Sequence, residues 1–137
     1  MGDLYQGRFK SFPIEQDEHL LAVLRYVERN PLRAKLVKRA QDWRWGSCHV
    51  RQHRSHELYP LLSDWPVEQP PRWLQTVNEP QSEQELATVR DSLKRNRPFG
   101  ADDWVRRTAR QLVIEHSLRP RGRPIGWRKK KNGKDKM

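Results

Sequence analysis

Apolar and polar positions follow two different periods along the chain. Over residues 5–14, YQGRFKSFPI, aromatic and apolar residues alternate loosely with polar ones, which predicts a short strand or extended segment ending before Pro13. After Asp17 the period lengthens. Leu20, Leu21, Val23, Leu24 and Val27 fall at helical spacing and predict a helix from an Asp17 N-cap through Asn30, with Glu18 in its first turn. Pro31 interrupts it, and PLRAKLVKRA reads as a second helical piece with proline in its first turn. Residues 41–81 keep neither period. They hold Trp43, Trp45, Trp65 and Trp73 and four prolines before Glu79-Pro80, and predict packed loops with a short helical turn near Arg72–Val77. The tryptophans read as plugs that anchor loops, with base stacking as the alternative. Ser82-x-x-Glu85 is a capping box opening a helix whose apolar face is Leu86, Val89 and Leu93. Asn96 to Gly100 closes that helix. Asp102 or Asp103 opens the next, with Val105, Ala109, Leu112 and Val113 inward and Arg106, Arg107 and Arg110 outward. The pair fits a plain helical hairpin or a helix-turn-helix-like unit.

Composition narrows the function classes. Of 137 residues, 34% are hydrophobic and 33% charged, so the chain suits one domain or less with a small core. The formal net charge is +11, which favours a polyanionic partner, nucleic acid before an acidic membrane surface. The charge is uneven. From Arg119 to Met137, nine Lys or Arg against one Asp leave +8, and residues 1–118 carry the other +3. That tail is expected to be disordered when free. No apolar run approaches the roughly 18 residues of a membrane span. A single cysteine, Cys48, permits no intrachain disulfide and predicts a reducing cytoplasm.

The first helix carries unusual polar residues. At about 100° per residue, Leu20, Leu24 and Val27 centre its apolar stripe, while His19, Tyr26 and Asn30 cluster on the flank. Tyr26 and Asn30 are four apart and converge on one point. Two readings are open on spacing alone. Tyr26 packs at the core edge with Asn30 as a helix stop, or Tyr26 is a nucleophile with an amide metal ligand one turn away.

The strings YQGRFKSFPI, DEHLLAVLRYVERNPLRAKLV and DWRWGS, in that order, strongly resemble the REP-associated tyrosine transposases, single-tyrosine HUH enzymes of bacterial insertion sequences. RPRGRP resembles their C-terminal end. The resemblance covers nearly the whole chain, and LRYVERNPLRA is its most specific block. It implies a ferredoxin-like catalytic domain acting on single-stranded hairpin DNA, the REP palindrome. It also implies a 5′-phosphotyrosine link made by Tyr26, and Mg²⁺ or Mn²⁺ held by Asn30 with a His-hydrophobic-His strand. That histidine triplet is not in this sequence, whose histidines are His19, His49, His53, His56 and His116. The chain therefore resembles the C-terminal portion of such an enzyme, and is expected not to bind the metal or cut DNA alone. A non-catalytic nucleic-acid-binding protein derived from a transposase is the alternative, and an RNA- or ribosome-associated basic protein a second.

The expected architecture is α+β: a remnant of the ferredoxin-like domain (a short N-terminal strand and the tyrosine helix), then a mostly α-helical C-terminal region and the basic tail. The corresponding segments are 1–48, the Trp/Pro-rich 49–81, the helical pair 82–118 and the tail 119–137. Expected DNA contacts are Arg8 and Lys10 on the first segment, Arg25, Arg29 and Arg33 around Tyr26, and Arg106, Arg107 and Arg110 on the last helix. In the tail they are Arg119, Arg121, Arg123, Arg128, Lys129, Lys130 and Lys131. Arg121-Gly122-Arg123-Pro124 fits either a minor-groove hook or a generic basic arm. Cys48-His49 with His53 and His56 has a metal-like look without a paired-cysteine zinc pattern, and a solvated basic loop is the other reading.

Overall fold

The first helix starts at a side-chain cap. The Asp17 side chain accepts the His19 backbone N–H at 2.8 Å, and α1 runs Glu18–Glu28. The computed structural model describes residues 10–119. Arg8 and most of QGRFK lie outside the described residues, as do Arg121, Arg123, Arg128, Lys129, Lys130 and Lys131. After a break at Arg29, α2 makes one turn, Asn30–Arg33, with Pro31 buried in it. Lys35, at φ 57, ends it, so the helical piece expected over PLRAKLVKRA is a single turn.

Residues 40–81 contain more helix than their sequence suggests. A 3₁₀ turn at Ala40–Asp42 is followed by α3, Ser47–Gln52, a second 3₁₀ turn at Tyr59–Leu61, and α4, Trp73–Asn78. Then α5, Glu83–Arg95, opens on the full Ser82–Glu85 capping box and stops at Asn96 in the left-handed region, φ 53. Finally α6, Asp102–Gln111, buries Val105 and Ala109. Leu112 and Val113, expected to face inward, are 55% and 81% exposed. The helix ends at Gln111, and Val113 at φ 56 turns the chain away before a 3₁₀ turn at Glu115–Leu118.

The α+β expectation is corrected. Among the described residues every regular element is helical, and there is no sheet. The extended N-terminal segment does find a partner, but Ile14 and Phe99 form one isolated parallel bridge. It is held by Phe99 N–H to the Pro13 carbonyl at 2.9 Å and Glu15 N–H to the Phe99 carbonyl at 3.0 Å. Pro13 and Pro98 flank these bonds and have no N–H to give, so no ladder propagates. Gly100 lets the strands of chain approach: a Cβ there would stand 2.5 Å from the Trp104 ring and 2.8 Å from a Glu15 carboxylate oxygen.

The core gathers around α1. Ala40, Cys48, Trp73 and Val77 are buried together, and Leu21, Leu24, Leu32, Trp65 and Leu74 pack on them. The Trp65 and Trp73 rings meet edge to face at 5.1 Å, which fits the plug reading of those two tryptophans, while Trp45 is 49% exposed. Helix α1 packs against both α4 and α5.

Candidate nucleic-acid interface

Three faces of α1 carry three sets of interactions, and each places some of the residues singled out above. The first face points into the core. Leu21, Leu24 and Glu28 are spaced by three and four, so Glu28 sits on the apolar stripe and is buried. Its carboxylate accepts the Trp73 indole N–H at 2.8 Å, the Cys48 thiol at 3.0 Å and the Ser47 hydroxyl at 3.2 Å. A buried carboxylate needs such donors to offset its lost hydration. Burial, reinforced by the hydrogen bond to Glu28, pushes the Cys48 thiol pKa far above the usual range, so the thiol is not a nucleophile here. A cavity of about 370 Å³ opens over this node, lined by Arg51, Arg72 and Trp73 among others. Sequence reasoning missed Glu28. Its signal is a charged residue at a stripe position, with Trp and Cys donors far down the chain.

The second face points at the C-terminal end of α4. Arg29 donates to the Val77 carbonyl at 2.6 Å and the Glu79 carbonyl at 2.8 Å, and Arg25 to the Glu79 and Pro80 carbonyls at 2.7 and 3.2 Å. The last carbonyls of a helix have no intrahelical donors, and a guanidinium there satisfies them and complements the helix dipole. Burial, then the charges of Arg25 and Arg33, lower the Arg29 pKa from its ordinary value. Both arginines expected at DNA thus tie α1 to α4.

The third face carries Tyr26. The Arg33 guanidinium lies over its ring, 3.8 Å from the centroid, a cation–π contact. The same guanidinium donates to the Tyr26 carbonyl and to Asn30 Oδ1. Its other terminal nitrogen is buried without a partner, and burial lowers its pKa. Arg90 of α5, which sequence reasoning did not single out, is near enough for its charge to add to that lowering. The structure therefore brings Tyr26, Asn30 and Arg33 together. It does not fit a divalent metal at Asn30, because the one acceptor offered to a metal already faces a fixed cation.

The remaining sites are dispersed. Arg106, Arg107 and Arg110 are exposed along α6, opposite Val105 and Ala109. Arg106 pairs with Asp103 at 2.7 Å, with both side chains largely solvated. Lys10 and Arg119 are exposed at the two ends of the described chain. His19 Nδ1 donates to the Asp17 carboxylate at 2.7 Å, and its ring lies edge-on to Phe99, 5.2 Å between centroids. Glu15, Asp17 and His19 hold their ligand-type atoms within 4.8 Å of one another. Among the described residues no helix is long and apolar enough to cross a membrane. No family model, curated protein or solved structure matches this chain, so the site rests on its own residues.

Proposed function

We propose that this chain binds single-stranded or hairpin DNA, and that it descends from a tyrosine transposase in whose complete form Tyr26 is the nucleophile. The observation that carries DNA binding is the row Arg106, Arg107 and Arg110, three exposed guanidiniums on one helix whose opposite face is buried. Phosphates are the natural partners of such a row, and the +8 tail adds a second electrostatic arm. The transposase origin rests on LRYVERNPLRA and the strings around it.

Cleavage by this polypeptide alone is not expected. Phosphodiester attack by tyrosine needs cations at phosphorus and an ionised or deprotonating hydroxyl. The chain lacks the His-hydrophobic-His pair, and Arg33 occupies Asn30. That arrangement favours the non-catalytic alternative for the chain as it stands: binding, with Arg33 as the positive charge beside Tyr26.

The test uses the purified chain with a labelled REP-like single-stranded hairpin and Mn²⁺, run on native and denaturing gels. A salt-sensitive native shift with no covalent band is the expected result. A denaturation-resistant band that disappears in Tyr26→Phe would show that the chain assembles a cutting site without the histidine pair. No shift at any salt concentration would remove the DNA-binding reading.

A further inference from the structure

Residues 44–56 hold three arginines, three histidines and no acidic residue. Their aromatic rings lie in one strip beside α3. Trp45 meets His56 edge to face at 5.6 Å between centroids, and His56 meets His49 in the same way at 5.8 Å. His49 then stacks on His53, 4.0 Å apart and 15° from parallel. Both ends of the strip reach solvent: Trp45 is 49% exposed, and His53 is exposed. Trp45 thus does not serve the core as Trp65 and Trp73 do.

Local backbone bonds hold these rings. His49 Nδ1 donates to the Gln41 carbonyl at 2.9 Å and His53 Nδ1 to the His49 carbonyl at 2.8 Å, because a carbonyl oxygen only accepts. His56 Nδ1 accepts the Leu58 N–H at 3.1 Å. The Gly46 N–H donates to the Trp43 carbonyl at 3.0 Å, which turns the chain at Trp45 just before α3 begins. The Arg44 guanidinium lies over the Trp45 ring, 4.8 Å from its centroid. Arg44 and Arg54 are exposed, whereas Arg51 donates to the Ser63 carbonyl at 3.1 Å.

We propose that this strip is a stacking platform for the unpaired bases of single-stranded DNA, with Trp45 and His53 as its two base contacts. The inference rests on the DNA-binding reading above and adds a surface that touches bases rather than phosphates. Every base has a flat π face, and proteins that hold single strands combine exposed rings with a basic surround. A base also stacks on a guanidinium plane, so Arg44 over Trp45 extends the platform instead of blocking it. His49 covers one face of His53, and the exposure of His53 leaves the opposite face for a second base. Rings fixed in advance lose little freedom when a base arrives. The surrounding Arg44 and Arg54, with no acidic residue among them, complement the phosphates that come with each base. A blunt duplex keeps its bases paired and stacked, so the platform selects the single strand.

The experiment is fluorescence anisotropy of the full chain with a labelled oligothymidylate, and with an abasic strand of the same length, at several salt concentrations. Trp45→Ala and His53→Ala should each weaken binding to oligothymidylate by about fivefold or more. The slope of log affinity against log salt should not change, because no phosphate contact is removed. Trp45→Phe keeps a ring and should retain most of the affinity. Wild type and variants should bind the abasic strand equally. Both side chains are exposed, so the variants keep the fold, which far-ultraviolet circular dichroism checks. Wild-type binding to oligothymidylate that is unchanged in both alanine variants overturns the platform and leaves the DNA-binding reading standing. A flattened salt slope, or an equal loss on the abasic strand, also overturns it by assigning these residues to phosphates. Failure of the wild type to bind any strand removes the DNA-binding reading and the platform together.

Discussion

The arginines divide into two groups, and salt should tell them apart. Arg106, Arg107 and Arg110 are exposed along α6, whereas Arg25 and Arg29 donate to the carbonyls of Val77, Glu79 and Pro80. For single-stranded DNA, each phosphate neutralised contributes about 0.7 to the slope of log affinity against log salt. Replacing the three α6 arginines by alanine should therefore flatten the slope by about 2 if each meets one phosphate. Between 50 and 200 mM salt, a factor of four, the wild type should lose about 20-fold more affinity than the triple variant. The Arg106–Asp103 pair does not change this expectation, because a solvated pair is worth at most about 1 kcal/mol and yields readily to a phosphate. Arg29→Ala should behave differently. It removes two charge-assisted hydrogen bonds, worth about 1.5–3 kcal/mol each in gross terms. It should lower the urea midpoint markedly and leave the salt slope of the remaining folded protein unchanged. Fluorescence anisotropy with a labelled hairpin at five salt concentrations, paired with urea unfolding, measures both quantities. An unaltered slope in the α6 triple variant, or a flattened slope with intact stability in Arg29→Ala, would refute the partition.

The other expectations concern the core and the tyrosine. Glu28→Ala should cost about 3 kcal/mol in urea unfolding, because it strands the buried Trp73 N–H and the Cys48 thiol, and Glu28→Gln should cost less by keeping one acceptor oxygen. A loss below about 0.5 kcal/mol would mean the node is not structural. Cys48 should react slowly with thiol reagents at pH 8 and at the ordinary rate once urea unfolds the chain. The folded state holds the Cys48 proton more tightly than the unfolded one. Its contribution is thus intact below about pH 8.5 and is lost as pH rises above that, by up to about 1.4 kcal/mol per unit. Cys48→Ala should lack this extra alkaline slope in pH-dependent urea titrations. Tyr26→Phe should leave the melting temperature within about 1 °C, because the ring keeps its place under Arg33. Tyr26→Ala should lower stability by about 1 kcal/mol or more as the cation–π contact goes.

What could be read from the sequence was local, and what could not was long-range. The Asp17 cap, the Ser82–Glu85 box, the helical turn near Trp73 and the stop at Asn96 all depend on atoms within a few residues, and each stands in the structure. Among the described residues no strand forms, because pairing depends on a partner 85 residues from Ile14, Phe99, whose neighbour Pro98 cannot extend a ladder. Helix α3 was missed because Gly46 caps it without a side-chain bond and its sequence, SCHVRQ, holds no repeating stripe. The Arg25 and Arg29 assignments to DNA followed from charge alone. Only the fold reveals that carbonyls 48 to 55 residues away had first claim on them. The neighbourhood of Tyr26 was partly legible, since the spacing to Asn30 is helical, but the guanidinium that bridges them comes from beyond Pro31.

The same helix explains why Tyr26 is held where it is. Glu28 fixes one side of α1 to α3 and α4, and Arg25 and Arg29 fix another side to the end of α4. A helix pinned on two faces has little freedom to rotate, so the third face, with Tyr26, has a defined direction. Onto that face the chain folds back at Pro31 and lays Arg33 against the ring and the Asn30 amide. The break at Arg29 shortens the path, because a continuous helix would leave residue 33 on the Tyr26 face but about 10 Å further along the axis. A metal arriving at Asn30 would have to exchange one cation for another and give up the cation–π contact as well. An incoming anion does not find that guanidinium open either, because its second terminal nitrogen is buried. Tyr26 and the Asn30 amide are thus both held by one guanidinium, on a face that the rest of α1 cannot turn away.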